Sequence, residues 1–264
     1  MSAAVDRAKI RTVDGVRLSV RVQPPTGERT DPGPTDVAVV VVHGFGASAD
    51  DEKVDAVMVA LCGAGYTAIT YDARGHGTSE GQTTLGVLEQ HDVAAAVVLA
   101  REHASHVVLV GTSMGGIAVL RHAAEATDVI AGVVTVACPA EWKLPRNVRG
   151  LLAALMVETR WGRSLAHSRL GIRIAPSIDR GAPPAHVARS IAVPVAVVHG
   201  TKDPFIAISA AELLHANVPG PSQLVVVDGL AHAFEPTERV TPAILDAVAW
   251  VLSHQADERR AEEL

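Results

Sequence analysis

Aromatic residues are nearly absent: the 264-residue chain holds 3 Phe, 3 Trp and 2 Tyr, although 48% of it is hydrophobic. Its apolar bulk is therefore aliphatic. Cysteine is also scarce, with Cys62 and Cys138 standing outside any C-x-x-C or Cys/His spacing, which argues against a disulfide scaffold or a structural zinc site. No apolar run approaches the ~20 residues a membrane-spanning helix needs. The N-terminal segment through Val22 alternates charged and apolar types, without the apolar stretch of a signal peptide. The expectation is a soluble cytoplasmic protein with no stable membrane insertion. A basic excess is missing too: 23 Lys+Arg face 29 Asp+Glu, net −6, so no general nucleic-acid or anionic-membrane surface is expected.

What is present is an alternation of short buried strands and helical stretches. Residues 16–22 alternate after the Asp14-Gly15 turn, predicting a hairpin with 10–13. Val37–Val42 is almost wholly β-branched, the pattern of a strand covered on both faces. Similar runs recur at 66–71, 106–110, 129–136, 193–198 and 223–227, separated by helical patterns at 51–61, 85–103, 114–126, 206–216 and 236–254. Such alternation predicts an α/β fold with a mostly parallel, doubly wound sheet.

The rhythm breaks at residues 139–190, where five prolines and about 50 residues separate two strands that a simple crossover would join. This predicts a small helical cap inserted into a core formed by 1–138 and 191–264. Between 141 and 180 the segment carries eight basic and three acidic residues, net +5, leaving −11 for the rest of the chain. Those cations either face water or make a mouth that favours anionic substrates.

Chemistry gathers at strand ends. Gly111-Thr112-Ser113-Met114-Gly115 follows a strand and opens a helix, the context in which a G-x-S-x-G turn presents a serine hydroxyl beside a helix N-terminus. A serine needs a histidine to take its proton, and the histidine needs a carboxylate to hold its tautomer. Asp203 in His199-Gly-Thr-Lys-Asp203-Pro, and His232 in Gly229-Leu-Ala-His232, follow the last two strands and supply both. Asp228 and Asp179 are competing carboxylates. His43-Gly44-Phe45-Gly46 follows the first buried strand, so the amides of Phe45 and Met114 are candidate oxyanion donors. His43 and His76 read as loop-bonding residues, Arg74 as a pin for its own loop, and Cys138 as a buried inert thiol. The other histidines form no HExxH or His-x-His cluster, so no metal is expected.

With Tyr71-Asp72-Ala73-Arg74-Gly75-His76-Gly77 after the second buried strand, these motifs in this order resemble the α/β-hydrolase superfamily from about residue 10 to 254. The resemblance implies an α/β-hydrolase fold, with about eight strands, an N-terminal antiparallel hairpin and a cap of the size found in lid-bearing esterases. It implies catalysis by Ser113, Asp203 and His232 on a small-molecule acyl ester through an acyl-enzyme, with no cofactor. Thioesterase, acyltransferase, aminopeptidase and carbon-carbon hydrolase chemistry share the apparatus, and a slow-turnover ligand receptor is a more distant alternative. Trp142, Phe205 and Phe234 are candidate pocket residues. Trp142, Leu144, Leu151, Leu152, Leu155, Met156 and Trp161 are expected to pack over Ser113 from the cap. Because all three phenylalanines lie within two residues of a proposed catalytic element, the scarce rings are expected to wall the pocket.

Overall fold

The computed structural model describes residues 6–30, 34–125, 130–142 and 148–262. Eight strands form one sheet: β1 (Asp6–Arg11), β2 (Arg17–Gln23), β3 (Val37–Val42), β4 (Thr67–Tyr71), β5 (His106–Thr112), β6 (Gly132–Val136), β7 (Val195–Gly200) and β8 (Ser222–Val227). Their order is β1-β2-β4-β3-β5-β6-β7-β8. The first two strands form an antiparallel hairpin, β2 runs antiparallel to β4, and every later pairing is parallel. Order therefore reverses between β3 and β5, and an open α/β sheet binds ligands at such a switch point.

Helices cover both faces, as the all-buried sequence of β3 requires. On one face lie α2 (Gln90–Ala100), α3 (Met114–Glu125) and α7 (Ile208–Asn217); on the other lie α1 (Glu52–Gly63) and α8 (Thr237–Glu262). α1 starts where the Asp51 side chain accepts from the Lys53 amide. The helix expected over 85–103 begins instead at Gln90. Leu85 and Gly86 take positive φ (59° and 94°), and the buried Glu89 carboxylate accepts from the Thr84 and Gly86 amides and both threonine hydroxyls. Apolar periodicity does not reveal that a side chain binds the turn ahead of it. The expected start of β6 at Val129, and Leu144 in the cap, lie outside the described residues.

The segment expected as a cap holds α4 (Val148–Glu158), α5 (Arg160–Leu170) and the short α6 (Pro184–Val187). Thr159 caps α5 by accepting from the Gly162 amide, and Gly171 closes it in the left-handed region at φ 68°. After α5 the chain is stitched to the core: Thr83 and Ile174 form a parallel bridge, and Arg173 N donates to Gly75 O at 2.8 Å. The Arg173 guanidinium adds bonds to the carbonyls of Gly81 and Ser79. A small apolar cluster of Val157, Ala166, Ile172 and Ile174 lies under these helices and meets Phe45 and Leu85.

Candidate active site

Ser113 sits at φ 52°, in the left-handed region, between the end of β5 and the first turn of α3. The strain is imposed by crowding on both sides. A Cβ on Gly111 would stand 2.5 Å from Gly115 O, and one on Gly115 would stand 2.3 Å from Val42 O. Only glycine at those two positions lets the turn close against β3. The Ser113 amide is spent on Val136 O at 2.9 Å, which fixes the turn to β6 and leaves the side chain free.

From that hydroxyl a hydrogen-bonded chain runs through two further loops at the same sheet edge. His232 Nε2 lies 3.1 Å from Ser113 Oγ, and His232 Nδ1 lies 2.8 Å from Asp203 Oδ2. The carboxylate can only accept from the ring, so the proton sits on Nδ1 and the Nε2 lone pair faces the serine. Asp203 is 1% exposed at its side chain, His232 23%. Asp203 Oδ1 accepts from the amides of Phe205 and Ile206, at 2.8 and 3.0 Å. The competing carboxylates are engaged elsewhere: Asp228 accepts from Thr201 Oγ1 and Asp179 from the Gly181 amide.

His199 was not foreseen in this neighbourhood. Fully buried, it lies 4.0 Å from Asp203 Oδ2, and its Nε2–H donates to Ile206 O at 3.0 Å. It thus ties down the loop whose amides hold the carboxylate. The H-G-x-x-D spacing contains the signal, since it sets a histidine at the strand end four residues before the acid.

The loop after β3 reaches the serine from the other side. A Cβ on Gly44 would lie 3.3 Å from Ser113 Cβ, so the backbone of residues 43–46 passes directly beside it. Among the described residues, neither the Phe45 nor the Met114 amide donates to a protein acceptor. Two histidines shape this loop: His43 Nδ1–H donates to Gly44 O while Nε2 accepts from Ala73 N, and His76 Nε2 accepts from Gly46 N at 3.4 Å. These roles need neutral rings. Burial supplies them, lowering the His43 pKa and pushing that of His76 down to about 3. Arg74 fixes the adjoining loop by bonding Asp92 and Asp14. Burial raises the Cys138 thiol far above its usual range, leaving it without nucleophilic character.

The expected pocket residues separate. Phe205 lies at the rim, 42% exposed, its ring 5.0 Å from that of His232. Trp142 is half-buried at the cap entrance, with Nε1–H donating to Gly181 O. Phe234, at 2% exposure, packs in the core cluster beneath α8, and a ring sealed there offers no face to a substrate. Leu151, Leu152, Leu155 and Trp161 turn outward into solvent. Met156 and Ile178 pack against the cluster of Val157, Ala166, Ile172 and Ile174, which Phe45 and Leu85 also meet. A separate groove of about 780 Å³ is lined by Gly77 to Gln82 and Arg173; its hydroxyls and carboxylate are engaged, Thr78 and Ser79 with Asp72 and Glu80 with Arg17.

No helix among the described residues is long and apolar enough to cross a membrane. An uncharacterised protein of Bacillus subtilis, YqkD, is 27% identical over 191 residues, 66% of this chain and 58% of that protein. This chain thus matches a little over half the length of that relative. Among solved structures, a Pyrococcus furiosus esterase is similar at TM-score 0.72 and 22% identity, covering 96% of this chain and 93% of its own. A Rhodococcus esterase is similar at TM-score 0.66 and 24% identity, covering 96% and 100%. Both likenesses confirm the α/β-hydrolase fold. The model of the serine aminopeptidase, S33, family matches residues 33–177, more than half the chain, and the chain therefore belongs to that family within the α/β hydrolases.

Proposed function

We propose that the protein hydrolyses carboxylic esters of small acyl substrates by a serine mechanism, a reading carried by the unbroken Ser113–His232–Asp203 hydrogen-bond chain. Ser113 Oγ attacks the acyl carbonyl as His232 Nε2 takes its proton, and the buried Asp203 carboxylate stabilises the imidazolium. The Phe45 and Met114 amides receive the oxyanion, each contributing about 3 kcal/mol to the barrier reduction. The imidazolium then protonates the leaving alkoxide. Water, deprotonated by the same ring, attacks the acyl-enzyme and releases the acid. Phe45, on the loop beside Ser113 and packed against the cap cluster, offers apolar surface to the acyl group.

The family description supports a second reading, aminopeptidase action. A free substrate ammonium favours a carboxylate near the serine, whereas residues 141–180 of the cap carry net +5, so the ester reading is preferred. A fluorophosphonate probe and paired substrates test both: p-nitrophenyl esters against aminoacyl p-nitroanilides. Labelling and ester turnover that vanish in Ser113→Ala support the proposal. Turnover of anilides alone moves the reading to the peptidase, and no labelling at Ser113 refutes both.

A further inference from the structure

We propose that the hairpin of α4 and α5 is a docking surface for an anionic lipid interface, on which the molecule sits cap-down. α4 presents Val148, Leu151, Leu152 and Leu155 to solvent at 74%, 51%, 59% and 49% exposure. Their i, i+3, i+4, i+7 spacing makes them one stripe. α5 extends it with Trp161 at 78% and Leu165 at 50%. Of the large hydrophobics exposed among the described residues, half lie on these two helices. A helix that merely covers a site carries polar residues on its outer side; α4 has apolar residues inside, where Met156 and Val157 meet the cap cluster, and outside as well.

The charge chooses the occupant. α5 contains Arg160, Arg163 and Arg169 and no acid, and Glu158, the acid of α4, is paired with Arg180. The Arg160 guanidinium lies over the Trp161 ring at 5.7 Å, so cation and aromatic stand together at the edge of the stripe. A second copy docked here about a twofold axis would set like charges against each other. Anionic headgroups match the arginines, the acyl boundary accepts the leucines, and tryptophan settles between the two. The remaining −11 of the chain is repelled by the same surface, which orients the molecule with its cap towards the lipid. Whole-chain charge hides this because the two signs are segregated. The inference does not rest on the ester reading.

Co-sedimentation with vesicles of phosphatidylcholine, alone or mixed with phosphatidylserine, tests it. Wild-type protein is expected to bind the mixed vesicles at least about tenfold more strongly than the neutral ones, and less strongly at high salt. Leu151→Ser/Leu152→Ser/Leu155→Ser and, separately, Arg160→Glu/Arg169→Glu are each expected to reduce that binding at least about tenfold. Both variants should keep wild-type turnover of a soluble ester, while Ser113→Ala should keep vesicle binding. Absence of vesicle binding by the wild type overturns the proposal, as does undiminished binding by both variants. A dimer in light scattering that the triple serine variant abolishes, without vesicle binding, assigns the surface to a second copy instead.

Discussion

Replacing Asp203 by Asn tests the site most sharply because the side chain keeps its shape while one acceptor oxygen becomes a donor NH2 group and the charge is lost. In the wild type Oδ2 accepts from His232 Nδ1–H, while Oδ1 accepts from the amides of Phe205 and Ile206. An asparagine keeps the Oδ1 acceptor, so the loop and the fold should persist. Its NH2 group, however, sits where Oδ2 was and can only donate, which drives the imidazole proton to Nε2 and removes the lone pair that faces Ser113. The expected loss in kcat is about 10^4-fold, equivalent to about 5 kcal/mol of barrier. Asp203→Ala behaves differently. It leaves the imidazole free to adopt either tautomer but strips the Phe205 and Ile206 amides of their acceptor, at a cost of about 1 kcal/mol of stability for each. Asparagine should therefore be the more stable variant and no more active than alanine. The assay is p-nitrophenyl ester hydrolysis alongside urea denaturation. An asparagine variant within tenfold of wild type, or much faster than alanine, refutes the assignment of Asp203 as the residue that sets the tautomer.

Four further outcomes follow from the geometry. His199→Phe should lower kcat about tenfold through loosening of the 203–206 loop, with a shifted acid limb in the kcat profile, and His199→Gln should restore part of the rate if its amide reaches Ile206 O; unchanged kinetics in the phenylalanine variant exclude a positioning role. Gly115→Ala should yield little folded, active protein, because the new Cβ meets backbone at 2.3 Å; a stable, active variant, judged by circular dichroism and turnover, contradicts the crowding argument. Arg74→Ala should cost about 3–5 kcal/mol in urea unfolding, because the fully buried Asp92 loses its partner, and a loss below 1 kcal/mol overturns that account. Burial lowers the pKa of His76 to about 3 and of His122 to about 4, so the unfolded chain binds protons first: their stabilisation is whole above pH 6.5 and declines below it, by about 2–3 kcal/mol each at pH 4.5. The buried Asp92, its pKa raised by burial to about 7, gains stability over the same interval. The test is therefore the difference between wild type and His76→Gln/His122→Gln: an equal change in urea midpoint from pH 7 to 4.5 in both refutes it.

The strands and the proposed catalytic residues were legible for one physical reason. A strand buried on both faces writes its whole environment into consecutive β-branched residues, as in β3, and Ser113 and Asp203 follow such strands directly. The strand before His232, expected to be buried, is instead the half-exposed edge strand β8. Gly111 and Gly115 were legible as a motif, but the contacts that demand them, with Gly115 O and Val42 O, are between segments distant in sequence or folded back on themselves. The false start of α2 has the same origin. Residues 85–89 carry helical periodicity, and only the side chain of Glu89, bonding backward to Thr84 and Gly86, shows why the turn precedes the helix.

The scarce aromatics make the limit concrete. Position near a motif placed all three phenylalanines at the pocket, yet proximity along the chain constrains a side chain only as far as the backbone between them is extended or turned. Phe45 flanks Gly44, which touches Ser113, and Phe205 lies on His232, because both belong to loops that wrap the site. Phe234 follows His232 by two residues, but the left-handed Ala233 at φ 58° intervenes, and the ring enters the α8 core instead. The same reasoning applies to the cap leucines. The sequence set them in a helical cap over Ser113, while which side of α4 meets the core depends on Met156 and Val157, one position round the turn. A stripe left in water by that choice is a cost the fold retains, and the arginines beside it indicate the kind of surface that would remove it.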